Sequence, residues 1–521
     1  MRTAVYNRYW ATGGGAEKYG AVMAQVLSGD GPLDLLTHDP VDVDWLGDRL
    51  HVELSKVGVR TIDDEPGAVT EAARDYDLFV NVSYMSPDPA PDTRSLYVVH
   101  FPPPLDGHVS SVQKMLGRAL PWLHRGADVR MQWGQGFYHR EPGSGGIAWT
   151  SGDARLRFVT NPAAPVTVLL GFGHQRPAAI GPTPVRIEVD GEVRSELVLD
   201  PPRSRLDGRR SVVVAVEVRS PEPGVPVEMR IVSDTFVPSE VLGGSDHRRL
   251  GVPLKWLDIR TGWTASIHQW LPLPTAASTS AEWTESYGAL VANSEFTRRW
   301  VDRYWGCDSE VVYPPVTMHA PATKEPIILS VGRFFPADMG HSKKQLELVW
   351  AFRTLVDQGV CGWALHLVGG CSDAGRSYLD AVRRAADGYP VEIHVDATGP
   401  ELEALYGAAS IYWHAAGLGE DPERHPGRLE HFGITTVEAM SAGAVPVVIG
   451  LAGQLETVRH GVDGFHFQTL GGLIALTRQL IDDPRARERM AASAAARART
   501  FDIDAFELQL RGIVDRLLAD T

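Results

Sequence analysis

Two rhythms of apolar positions divide the chain. In 3–127 and again from 260 onward, short apolar runs such as TAVYNRYW (3–10), DLFVNVS (77–83), SLYVVHFPPP (95–104), PIILSV (326–331) and ALHLVGG (364–370) alternate with helical spacing, as at Ala16, Tyr19, Ala21, Val22 and Val26. Apolar runs that end in polar or glycine residues and are separated by helices predict parallel strands whose C-terminal ends build a site. Between 128 and 259 the helical spacing stops. ARLRFVT, VTVLLGF, VRIEV, EVRSELVL, SVVVAVEV, VEMRIV and GVPLKWL follow one another, with a hairpin turn at Asp190-Gly191 and turn-rich connections such as DPPRSRLDG. That pattern predicts a β-sandwich inserted into the first α/β unit.

Composition narrows the class. At 521 residues the chain exceeds one ordinary core, so two or three domains are expected. Hydrophobic content of 44% and charged content of 22% are those of a globular protein, and a net charge of −15 argues against nucleic acid as a partner. The three cysteines, Cys307, Cys361 and Cys371, have no metal-ligand spacing, and their odd number points to a reducing cytoplasm. MRTAVYNRYWATGGG enters a strand pattern without an apolar leader, and no apolar run reaches the length of a membrane span. The segment VQKMLGRALPWLHR (112–125) is apolar and basic together, a composition that suits peripheral contact with an anionic membrane or a lipid-linked acceptor as well as a half-buried helix. Oligomeric state leaves no signal.

The chemistry concentrates in EHFGITTVEAMSAGAVPVV (430–448), where Glu430 and Glu438 stand eight positions apart across a glycine turn. Gly433 sits where a loop enters a helix, Thr435 and Thr436 are placed to cap it, and Val437, Ala439, Met440 and Ala442 supply its apolar positions. The open N–H groups of such a helix start attract phosphate, and carboxylates accept hydrogen bonds from paired sugar hydroxyls. Arg333 at a strand end, with Lys343 and Lys344 opening the next helix, would supply fixed cations for a diphosphate. Gly14 and Gly15 follow the first strand, although the third glycine of a dinucleotide fingerprint is missing. His100 ends a strand before a proline turn. Asp42-Val43-Asp44 has metal-ligand spacing, but its turn-rich surroundings, DPVDVDWLGD, predict a solvated loop and no metal is assigned.

GGG (13–15), HFP (100–102), NSEFT (293–297), YPPV (313–316), VGR…KK, LVGG (367–370) and E-x7-E occur in one order. In that order they resemble the retaining glycosyltransferases of family 4 over both α/β portions, but not over the inserted segment. The resemblance implies a GT-B fold, an α/β architecture of two Rossmann-like domains facing a cleft. The acceptor domain would be 1–127 with 260–315, the sandwich 128–259 would be carbohydrate-binding-module-like, the donor domain would be 316–504, and 505–521 would form a helix packing back on the first domain. It further implies a nucleotide-diphosphate sugar as donor, GDP-mannose ahead of a UDP-sugar, and a hydroxyl of a glycan, glycolipid or small molecule as acceptor. Transfer would proceed with retention and without a metal or other cofactor. Glu430 would hold donor-sugar hydroxyls, Glu438 the ribose, and Arg333 with Lys343, or Lys344 in its place, the diphosphate. Gly14, Gly15, Phe432, Gly433, Ile434 and Thr435 would line the donor, and His100 would face the reacting sugar. Two carboxylates bracketing a nucleotide sugar stand too far apart for a retaining glycosidase, which needs ~5 Å between them. The alternatives are a GT-B phosphorylase, revealed by phosphate-dependent cleavage, and a carbohydrate-binding protein on a degenerate scaffold, revealed by glycan binding without nucleotide.

Overall fold

A computed structural model describes residues 1–86, 88–104, 129–133, 135–138, 148–163, 165–201, 211–243, 246, 248–261, 281–336 and 342–519. The segment 112–125 lies outside the described residues.

Two all-parallel sheets carry the α/β portions. The first has seven strands in the order Glu310–Val311, Ala289–Ala292, Ser95–Val99, Leu78–Asn81, Thr3–Tyr6, Leu33–Thr37 and Val57–Thr61. Its central strands are buried along their whole length, as strands covered on both faces must be. The second has six, in the order Val391–Val395, Ala364–Gly369, Glu325–Val331, Ala409–His414, Val445–Ile449 and Phe465–Phe467. In each sheet the chain runs outward on one side and then resumes on the other side of its starting strand. The switch points therefore fall between Thr3–Tyr6 and Leu78–Asn81, and between Glu325–Val331 and Ala409–His414. Ligands of open α/β sheets bind in the crevice at such points, outside the carboxyl ends of the strands.

The first strand is shorter than its apolar run suggests. After Tyr6 the chain turns into Trp10–Thr12, and Trp10 is drawn fully into the core, its indole donating to the Leu36 carbonyl at 3.2 Å. Asp42 and Asp44 are exposed, as expected, but they open a helix and do not lie in a loop: Asp42 accepts from the N–H groups of Asp44 (3.0 Å) and Trp45 (3.1 Å) and caps the helix Val43–Leu50.

Between the first five strands of the seven-stranded sheet and its last two, the chain builds two antiparallel sheets. One has five strands (Glu192–Leu199, Thr183–Val189, Val227–Ser233, Asp153–Val159, Arg130–Trp133), the other four (Val212–Val218, Val166–Phe172, Pro253–Thr261, Ala148–Trp149). Alternate residues of both, including Leu156, Phe158, Val168, Leu170, Ile187, Val216, Met229, Ile231 and Leu257, form one shared core. Asp190 and Gly191 both take positive φ (49° and 82°), the requirement of the two-residue hairpin turn between Thr183–Val189 and Glu192–Leu199. The strand Pro253–Thr261 runs two residues past the expected end of the insertion.

The helix Ile503–Ala519 crosses back from the second half. Phe506, Leu510, Ile513 and Val514 enter the core beside Tyr19 and Val22, and Arg511 pairs with Asp30 at 2.8 Å. Among the described residues no helix is long and apolar enough to cross a membrane.

Candidate functional site

The second switch point gathers most of the residues singled out from the sequence. Glu325–Val331 ends at Gly332, where close packing leaves no room for a side chain: a Cβ would stand 2.5 Å from Lys343 Cγ, and one on Gly369 would stand 2.1 Å from the Gly332 carbonyl oxygen. Arg333 follows, exposed, its guanidinium 5.8 Å from the Phe335 ring and without a carboxylate partner among the described residues. Across the crevice Lys343 is ion-paired with Glu430, whose Oε2 also lies 3.0 Å from His414 Nε2. His414 ends the strand Ala409–His414, and burial pulls its pKa down, so it sits neutral beside the carboxylate. Lys344 goes elsewhere. It stands in the left-handed region (φ 59°) and its ammonium turns to Glu420 at 3.5 Å, so the two adjacent lysines serve different carboxylates.

The turn after Glu430 departs from expectation in two respects. Phe432 is core: its side chain is buried and meets Tyr313 and Phe501 at ring distances of 5.6 and 5.4 Å, leaving only its backbone for a ligand. The threonines do not cap the helix Ile434–Ser441, because they lie inside it; its N-cap is Gly433 at φ 99°. Thr435 accepts from the Tyr412 hydroxyl (2.7 Å), and Thr436 from Gln454 (3.0 Å). Thr436 and Val437 N–H both return to the Gly433 carbonyl, while those of Ile434 and Thr435 have no partner among the described residues. A side chain at Gly433 would bring Cβ within 2.5 Å of Gln454 Nε2, so this turn requires glycine for space as well as conformation.

Glu438 is buried and doubly held: its carboxylate lies 3.3 Å from Lys18 Nζ and accepts from the Tyr406 hydroxyl at 2.9 Å. Lys18 belongs to the first α/β half, on the helix Gly15–Leu27, so this pair bridges the two halves. The glycine loop lies beside it. Gly14 N–H donates to Glu17 at 2.8 Å, and a Cβ on Gly15 would stand 3.5 Å from Ile434 Cδ1, directly against the start of the opposing helix.

His100 follows the strand Ser95–Val99. Its Nε2 lies 2.8 Å from the Val82 carbonyl oxygen, which can only accept, so Nε2 carries the proton and Nδ1 keeps a lone pair. Burial pulls its pKa down. The next residue, Phe101, stacks on His431 with ring centroids 4.2 Å apart and an interplanar angle of 11°, which ties the His100 strand end to the Glu430 loop.

Sequence reasoning missed His414, Lys18, Tyr406 and a further tie between the halves. Glu456 accepts from the N–H groups of Glu295 and Phe296, both at 2.8 Å, capping the helix Glu295–Trp305 from the opposite half. Burial pushes its pKa up. His414 had a visible signal as a polar residue ending an apolar strand; Lys18 and Glu456 had none, because their partners are hundreds of positions away or on another helix.

Residues 318–497 match the family described as Glycosyl transferases group 1. Over 214 residues the chain is 29% identical to the GDP-Man:Man(3)GlcNAc(2)-PP-Dol alpha-1,2-mannosyltransferase of Dictyostelium discoideum, a match that takes in 36% of this chain and 39% of that protein. The chain thus spans about two fifths of the length of the curated relative it matches. Among solved structures, a glycosyltransferase from Rickettsia africae superposes with a TM-score of 0.53 at 11% identity, covering 100% of this chain and 99% of that one. Anabaena Alr3699/HepE in complex with UDP and glucose superposes with a TM-score of 0.51 at 13% identity, covering 99% and 100%. At such identities the likeness is one of fold. With two parallel Rossmann-like sheets facing a cleft and additional antiparallel sheets, the chain has a GT-B-like architecture.

Proposed function

We propose that this protein is a retaining hexosyltransferase that moves a sugar from a nucleotide-diphosphate donor to a hydroxyl acceptor. The observation that carries the reading is the grouping of Glu430, Lys343 and His414 beside two helix N–H groups without a partner among the described residues and the exposed Arg333, opposite the Gly14–Gly15 loop. A diphosphate between the halves would meet Arg333, Lys343 and the Ile434 and Thr435 N–H groups, four sources of positive potential converging where leaving-group charge grows. Lys343 would turn from Glu430 to phosphate, and Glu430 would face donor-sugar hydroxyls. Glu438, held by Lys18 and Tyr406, would take the ribose. The departing phosphate oxygen would accept the acceptor's proton on the same face of the sugar, with His100 Nδ1 turned toward that face. In this reading no metal takes part.

GDP-mannose is the first donor to try, since the curated relative's name carries GDP-Man, and UDP-sugars come next, since the Anabaena complex holds UDP. The domain division we propose is that expected from the sequence, with the antiparallel sheets as an inserted sandwich that extends to Thr261. Its exposed large side chains among the described residues are aliphatic, such as Val193, Val198, Val213 and Leu242, so sugar stacking is not assigned to it.

The test is the melting temperature with GDP, UDP and ADP, then with their sugars, at fixed protein concentration and without metal. A nucleotide at ~100 times its dissociation constant adds about 2.7 kcal/mol if it binds only the folded state. A shift with one nucleotide family supports the reading and names the donor class; a shift with phosphate or oligosaccharide alone overturns it.

A further inference from the structure

Away from the cleft, on the outer edge of the six-stranded sheet, a second set of chemistry-bearing side chains converges. His366 lies on the strand Ala364–Gly369, and Glu392 and His394 on the edge strand Val391–Val395. The parallel register sets His366 beside Glu392 and Val368 beside His394, so all three side chains leave the same face of the sheet, while Leu365 and Leu367 enter the core on the other. His366 Nδ1 and His394 Nε2 are 3.1 Å apart, and each lies 3.8 Å from Glu392 Oε2. The imidazole ring centroids are 5.2 Å apart with an interplanar angle of 13°, and the two nitrogens face each other between the rings at hydrogen-bond distance.

We propose that His366, Glu392 and His394 form a binding site for a zinc-class divalent cation, independent of the transfer chemistry. The distances fit: a point equidistant from the three atoms lies roughly 2.1 Å from each, the length of a zinc–imidazole or zinc–carboxylate bond. The donor set fits as well. Two imidazoles and one carboxylate suit zinc and its neighbours nickel and copper, whereas magnesium and calcium require oxygen donors. Exposure is graded, with His366 9% exposed at its side chain, His394 30% and Glu392 60%, so the site has a dry floor and an open side where water would add a further ligand. The ion would also pin an edge strand, the element of a sheet that has backbone partners on one side only.

The test uses the full chain without an affinity tag, stripped by chelator and titrated with Co²⁺ and then Zn²⁺. The expected result is one Co²⁺ per chain with visible absorption of tetrahedral type, displaced by Zn²⁺, and a rise in melting temperature with Zn²⁺. His394→Ala and Glu392→Gln alter half-exposed or exposed side chains and should leave the fold intact while weakening Co²⁺ binding at least tenfold. The His460–His466 pair offers only two imidazoles, and His460→Ala should leave the stoichiometric site unchanged. Absence of stoichiometric binding, or binding undiminished in His394→Ala, would overturn the assignment.

Discussion

The two walls of the cleft are built from the same type of sheet and differ in what they present. The second-half wall carries unlike charges in contact, Lys343 with Glu430, beside an exposed arginine and a helix start with open N–H groups. The first-half wall pairs its charges internally or across the bridge: Glu17 accepts from the glycine loop, Arg8 pairs with Asp64 and Lys18 with Glu438, while burial pulls the His100 pKa down. One wall is thus equipped to hold a polyanion through electrostatics, and the other to let a neutral group approach closely. Substitutions on the two walls should therefore produce different kinds of loss.

The largest effect is expected from Glu430→Gln, which should lower kcat by roughly 10²–10³, as removal of a preorganised transition-state contact does, with cooperative unfolding retained. Unimpaired turnover would remove this carboxylate from the chemistry. Arg333→Ala should cost about 10²-fold in turnover while changing stability by less than about 0.5 kcal/mol, because the side chain is exposed and has no carboxylate partner among the described residues. A stability loss equal to the activity loss would mean that it serves the fold. On the other wall, His100→Gln should lower turnover about tenfold without weakening nucleotide binding, a loss at the low end of those for positioned side chains. Should it weaken nucleotide binding instead, the contrast between the walls disappears. Lys18→Met breaks the bridge to Glu438 and, because both side chains are largely buried, should cost about 1–3 kcal/mol of stability by leaving the carboxylate short of a partner, readable as a fall in the denaturant midpoint.

The smallest and broadest effect is on stability against pH. His100 and His414 both have pKa values pulled down by burial, so below the ordinary histidine value of about 6.5 the unfolded chain binds protons that the folded chain refuses. Their contribution to stability is therefore full above that value and is lost as pH falls through it. Asp64 and Asp463, held low by Arg8 and Arg459 despite opposing burial, add a further loss in the same direction at lower pH. Denaturant midpoints measured from pH 7.5 to 5 should decline, and more gently in His414→Gln.

Much of the architecture was legible because it rests on local pattern. The run VTVLLGF predicts Val166–Phe172 residue for residue, and Asp190-Gly191 predicts its hairpin, since a short apolar run and positive φ are properties of adjacent positions. Leu33–Thr37 and Val57–Thr61 escaped notice because LDLLT and VGVRT are too short to separate from loops by periodicity. In the candidate site, Glu430, Glu438, Arg333 and Lys343 could be picked out because a loop-to-helix turn and a strand-to-helix turn keep their residues close in sequence.

What the sequence alone determined is therefore the set of local units: which runs become strands, where glycine must turn the chain, and which charged residues stand at element ends. Only the tertiary structure decided how those charges are shared. It gave Lys343 and not Lys344 to Glu430, sent Phe432 into the core, set Lys18 against Glu438, and brought His366 to His394 across neighbouring strands. The physical reason is that sheet order and the packing of two halves join positions tens to hundreds of residues apart, and no periodicity within a window records which distant carboxylate or imidazole will stand opposite.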